Sequence, residues 1–197
     1  MDRYWFLTWR TYGTWLPGDE RGFVDPVLDE QGHRVIHNLP GTPLDADNPR
    51  LRDYSRKIMK GPAVYLTHDQ AADLLEQFQE TARHRGWQLL TVAILPNHVH
   101  LIVGVNEDPD PSTLLRDFKS YGSRRLNQRW PVPASKTWWA ESGSRRILKS
   151  DENRIQAVQY ILQQLGALLI WESSEAHTRL YQPVDAGRSP TPPRPAG

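Results

Sequence analysis

Between residues 95 and 103 the chain reads LPNHVHLIV, and this stretch limits the fold more than any other. It is rich in β-formers, and two histidines spaced by one residue follow a proline break. Side chains alternate along a strand, so His98 and His100 share one face while Val99 turns to the core. The stretch commits the chain to a sheet with core on one side and the histidines on the other. Two imidazoles about 6–7 Å apart along a strand can converge on one metal ion and leave positions open for a substrate oxygen. Taken alone, such a triplet is more often chance or structural than catalytic.

The remaining elements follow from periodicity and punctuation. Residues 4–12 (YWFLTWRTY) are aromatic and β-branched, a first strand. Residues 13–60 lose periodicity and are broken repeatedly by glycine and proline, which marks an insertion with short elements of its own. Near its start Trp15, Asp19, Glu20, Arg21 and Phe23 point to a lid or an added interface. A short strand is expected at 63–66. Thr67 and Gln70 then match a capping box, opening a helix that ends before Gly86. Residues 87–95 and 98–105 form a hairpin across Pro96-Asn97, which puts His98 near the sheet end. A basic helix spans 112–130, interrupted by Gly122 and stopped by Pro131 and Pro133. Short strands at 138–139 and 146–148 flank Gly143. A further helix covers 151–165, with Ile155, Val158, Ile161, Leu162 and Leu165 buried, before a strand at 168–171. This order predicts an α+β fold, an antiparallel sheet with helices packed on it, close to the split βαβ ferredoxin-like plan. One domain is expected over residues 1–182, then a disordered proline-rich tail at 183–197.

Composition narrows the chemistry. The 197 residues contain no cysteine, which excludes disulfides, thiolate metal sites and cysteine nucleophiles and fits a reducing cytoplasm. The N-terminus carries no signal-peptide pattern and no apolar run approaches a membrane span, so no membrane partner is expected. Charge is uneven. Residues 116–149 hold nine bases against two acids, inside a chain whose net charge is only +1. Such a block is the footprint of a phosphate-backbone partner, or else a solvated helix face.

In the last helix Tyr160 and Gln164 stand at i and i+4, one turn apart on a polar face. A phenolate is a competent nucleophile toward phosphorus, and a nearby cation lowers the cost of ionising it. Gln164 offers a neutral oxygen as third ligand beside His98 and His100, a hard and weakly charged set suited to Mg²⁺ or Mn²⁺. Tyr121, on the basic helix, is the competing nucleophile. Its i+4 residue is Arg125, which cannot ligate a metal.

Pro96-Asn97-His98-Val99-His100-Leu101, followed by Tyr160-Ile161 and Gln164, resembles the single-tyrosine HUH transposases of small insertion sequences and their REP-associated relatives. Phe118-Lys119-Ser120-Tyr121 through Arg125-Leu126-Asn127, and then Trp138-Trp139, are also similar to that family's middle region. The resemblance covers roughly residues 4–12 and 63–171, while the insertion and the tail depart from it. It implies a ferredoxin-like/RRM-like HUH fold and metal-assisted transesterification on single-stranded, hairpin-containing DNA. Tyr160 would attack a phosphate polarised at His98, His100 and Gln164, leaving a 5′-phosphotyrosine link and a free 3′-hydroxyl. A homodimer is implied, since moving an element involves two strand ends. Lys119, Arg124, Arg125, Arg145 and Arg146 are candidate phosphate contacts, and Trp138 and Trp139 candidate stacking platforms for bases, with core packing as the alternative for each tryptophan.

Two other classes stay open. A domesticated protein that binds DNA hairpins or repeats without transposition would keep the same residues. A histidine-triad phosphohydrolase wants a third alternating histidine, where this chain has Ile102.

Overall fold

Eight alternating residues, Arg3–Arg10 (β1), pair antiparallel with His98–Val105 (β5) along their whole length. In this computed structural model, which describes residues 1–19, 27–28, 34–35 and 49–174, these two strands lie inside a five-stranded sheet. The other members are Gln88–Ile94 (β4), Ser144–Leu148 (β6) and Leu169–Glu172 (β7), in the order β6-β1-β5-β4-β7 with every neighbour antiparallel. The helices are Pro49–Lys57 (α1), His68–Arg85 (α2), Pro111–Arg129 (α3) and Asp151–Leu162 (α4). Val27–Leu28 (β2) and Arg34–Val35 (β3) pair as a separate small ladder within the expected insertion, which also carries α1.

The first four sheet positions, β6-β1-β5-β4, reproduce the split βαβ plan: β5 lies between β1 and β4, the two strands that α2 connects. The α+β architecture is therefore as expected, with β7 extending one edge.

Strand alternation sorts the two faces. Trp5, Leu7 and Trp9 of β1 and Val99, Leu101 and Val103 of β5 share a core with α2 and α3. Within it Phe78 packs edge-on to both Trp9 and Phe118, ring centroids 5.6 Å apart in each pair. Burying each such side chain is worth about 1.5–3 kcal/mol. On the reverse face, Tyr4, Ile102, Ala93 and Leu148 pack against Ala157, Val158 and Ile161 of α4. The histidines lie on this α4 face, beyond the end of its apolar cluster.

Local signals hold well at α2. The Thr67–Gln70 capping box forms in both directions, and Gly86 ends the helix in the left-handed conformation at φ 67°. Four expectations need correction. Residues 63–66 are extended but not a strand: Val64 and Leu66 each donate one hydrogen bond, to Tyr12 and Pro96, with no ladder. At 138–139 there is only a single bridge, Thr11 to Trp139. The first strand ends at Arg10, where the chain turns away toward Gly13. The last helix ends at Leu162 rather than 165: Gln163 caps it, Gly166 follows in a left-handed conformation, and Leu165 is 94% exposed instead of buried. The expected tail at 183–197 lies outside the described residues, as do Glu20, Arg21 and Phe23.

Candidate active site

His98 opens β5 directly opposite Arg10, and His100 stands opposite Thr8. Their rings meet edge to face with centroids 4.6 Å apart. Each imidazole is anchored through Nδ1. His98 Nδ1 lies 2.7 Å from the Asn97 side-chain oxygen, and His100 Nδ1 lies 2.8 Å from the Thr8 hydroxyl. An amide oxygen only accepts, so His98 carries its proton on Nδ1 and presents a lone pair on Nε2. The Thr8 hydroxyl can accept in the same way from His100. These are the outer partners expected of metal-ligating histidines.

Electrostatics point the same way. Burial, and then the Arg10 guanidinium, lower the pKa of His98 from 6.5 to about 4. Burial, and then His98, lower that of His100 to about 3. Both rings are thus neutral at physiological pH, the form that ligates.

Tyr160 reaches the pair from α4. Its ring lies 5.5 Å from that of His100 and 6.0 Å from Phe6, and the residue is half exposed. Gln164 is not on the helix. It lies just past the Gln163 cap, where its Nε2 donates to the Tyr160 carbonyl at 3.1 Å. That bond keeps the amide one turn from the tyrosine and leaves Oε1 as its acceptor. Among the described residues, no three His, Cys, Asp or Glu side chains gather in one place. A cation at the histidines would meet two neutral imidazoles, each with Nδ1 already engaged, a hard and weakly charged pair compatible with Mg²⁺ or Mn²⁺.

The competing tyrosine falls elsewhere. Tyr121 is on α3, in the helix layer across the sheet from the histidines. Several of the expected DNA contacts are also committed within the fold. Lys119 Nζ donates to the carbonyls of Ala140, Glu141 and Ser142. Arg125 pairs with Asp73 and Glu76, and Arg129 with Asp73, so the basic block is partly neutralised by acids of α2. Trp138 and Trp139 are each 4% exposed, with indole N–H groups bonded to Asn127 and the Lys119 carbonyl. They are core residues, and the expected stacking role does not hold for them. Arg124, Arg145 and Arg146 remain exposed. Arg145 faces the α3 layer, lining a groove of about 360 Å³ with Arg116 and Ser120. Arg146 faces the histidine side, its guanidinium 5.2 Å above the Phe6 ring.

Sequence reasoning missed Thr8, Asn97, Phe6 and Arg10. Asn97 was legible beside the histidines. The three β1 residues needed the strand register.

The sequence profile of the family described as "Transposase IS200 like" matches residues 58–164, more than half of the chain.

This chain belongs to the IS200-like transposase family.

The matched span contains both histidines, Tyr160 and Gln164 but leaves out β1, whose side chains complete the site. A comparison with curated protein sequences gave no match. Among solved structures, the chain is similar to a REP-associated tyrosine transposase bound to a REP hairpin, at 16% identity and a TM-score of 0.46. That alignment covers 81% of this chain and 64% of the other, so this chain spans less than two thirds of that protein. It is also similar to a putative transposase from Deinococcus radiodurans R1, at 16% identity and a TM-score of 0.39, covering 83% of this chain and 92% of that one. No helix among the described residues is long and apolar enough to cross a membrane.

Proposed function

We propose that this IS200-like transposase cleaves and rejoins single-stranded DNA through a covalent bond to Tyr160. The observation that carries the reading is the meeting, on one sheet face, of two neutral histidines with anchored Nδ1 atoms and a half-exposed tyrosine from the same chain.

In this reading His98, His100 and Gln164 hold Mg²⁺ or Mn²⁺. When bound, the ion supplies Lewis-acid polarisation of the scissile phosphate. The chain's own residues do the rest. Asn97 and Thr8 hold the imidazoles in the ligating orientation. Phe6 and the α4 backbone present the Tyr160 ring beside His100. The Tyr160 oxygen forms a bond to phosphorus and releases its proton to solvent. The bond from phosphorus to the 3′ oxygen breaks, and that oxygen takes a proton from water and leaves as a hydroxyl. The phosphotyrosine link conserves the bond energy, so rejoining by another 3′-hydroxyl needs no nucleotide cofactor. One nucleophile serves one strand end, so moving an element engages two copies of the chain. Arg146, on the histidine side, and Arg124 and Arg145, on the α3 side, are the exposed phosphate contacts of this reading.

The test is a denaturing-gel assay on a library of labelled single-stranded hairpin DNAs with Mn²⁺ or EDTA. Wild type, Tyr160→Phe, Tyr121→Phe and His98→Ala are run side by side. A metal-dependent covalent band that persists in Tyr121→Phe and vanishes in Tyr160→Phe and His98→Ala is expected. Loss of the band in Tyr121→Phe alone would move the nucleophile across the sheet. Hairpin binding with no adduct from wild type would make the protein a DNA-binding module.

A further inference from the structure

Arg10 ends β1 directly across from His98, on the histidine face of the sheet. Its guanidinium carbon sits 3.7 Å from the centroid of the Trp15 ring, a close cation–π contact. Trp15 is fixed by the turn that follows β1. In that turn Gly13 adopts φ 71°, and a Cβ there would clash with the Met59 methyl, so the loop is pressed against the segment after α1. The Thr11 amide and the hydroxyls of Thr11 and Thr14 all donate to the Asn97 carbonyl, at 2.9, 3.1 and 3.3 Å. Asn97 also anchors His98. One residue therefore ties the indole platform and the imidazole to a common frame.

The position has a directional meaning. Phe6, against which Tyr160 packs, is four residues back along β1, about 13 Å from Arg10 at the usual rise. His100, opposite Thr8, lies between them, and His98 stands level with Arg10. In a displacement at phosphorus the nucleophile and the leaving oxygen stand on opposite sides of the reacting atom. With Tyr160 on the Phe6 side, the leaving 3′ oxygen departs toward Arg10.

Resting on the reading of Tyr160 as nucleophile, we propose that Arg10, held over Trp15, is a further catalytic residue that binds the non-bridging oxygens of the scissile phosphate from the leaving-oxygen side. A guanidinium is planar, permanently charged and matched to two phosphate oxygens at once. It makes no demand on a proton: Arg10 stays protonated, the Tyr160 oxygen bonds to phosphorus and the 3′ oxygen takes its proton from water. Trp15 is a positioning residue, acting only through Arg10. Neither residue lies within the family-matched span.

The experiment uses the full chain and the library hairpin on which wild type forms adduct, made with either a normal scissile phosphate or an uncharged methylphosphonate there. On the phosphate, Arg10→Gln is expected to slow adduct formation about 10²-fold and Trp15→Leu about tenfold. On the methylphosphonate both variants are expected to react at the wild-type rate. Arg10→Lys keeps the charge without the fork, and an intermediate rate on the phosphate is expected even if Arg10→Gln does not fold. Equal losses on both substrates, or no loss on the phosphate, would overturn the role of Arg10 while leaving Tyr160 in place. No adduct from wild type on any hairpin would overturn the parent reading and this one together.

Discussion

Acidification offers a direct measure of how the fold holds its two histidines. In the unfolded chain an imidazole titrates near 6.5, whereas in the fold His98 titrates at about 4 and His100 at about 3. Above pH 6.5 both states are neutral and neither residue affects stability. As pH falls below 6.5 the unfolded chain takes up protons that the folded chain refuses, so stability falls until the folded pKa values are reached. At about pH 5 the gap is roughly 1.5 units, about 2 kcal/mol for each histidine and about 4 kcal/mol for the two. Urea unfolding in EDTA, at about pH 7.5 and about pH 5, reads this loss. His100→Gln is compared with itself across the same interval, so its intrinsic stability cancels. It is expected to lose about 2 kcal/mol less than wild type on acidification. Equal losses in wild type and His100→Gln would refute the claim that burial holds this ring neutral.

Removing the amide that anchors His98, by Asn97→Ala, is expected to weaken Mn²⁺ binding about 10- to 100-fold in calorimetric titration. Unchanged affinity would mean that the imidazole needs no such support. At Gly122→Ala two effects compete. Helix propensity favours alanine by about 1 kcal/mol. The new Cβ, however, would lie 3.0 Å from Leu74 Cδ2 and 3.2 Å from Phe78 Cε1, both fully buried. Overpacking costs about 1–3 kcal/mol, so net destabilisation of about 1 kcal/mol is expected in urea unfolding. A more stable variant would show that the contact between α2 and α3 yields easily.

Much of this protein was legible from short windows of sequence. Strand alternation put His98 and His100 on one face and Val99 in the core, and the structure keeps that division. The Thr67–Gln70 box and Gly86 bracket α2 as expected, since caps are formed between residues three or four apart. The helix carrying Tyr160 was legible too, although its end was not. The helix stops at the Gln163 cap, which leaves Gln164 beyond its end.

The fate of the basic block shows where local reading ends. Arg125 reads as a DNA contact on a basic helix, yet Asp73, more than fifty residues earlier, meets both it and Arg129. For Trp138 and Trp139 the sequence leaves base stacking and core packing both open, and the packing of α3 on the sheet encloses them. The i+4 residues, Gln164 against Arg125, already favoured Tyr160 over Tyr121, and the placement of their helices on opposite faces of the sheet separates the two in space. Arg10 joins His98 solely because β1 and β5 pair in one register. The sequence by itself determined what depends on neighbours within a turn or a strand repeat: the histidine face, the caps, the helices and the family motifs. Tertiary structure alone decided which charges are already satisfied, which tyrosine reaches the histidines and which arginine stands beside them. Those outcomes depend on contacts between residues far apart in the chain, and no local periodicity encodes which distant partner arrives.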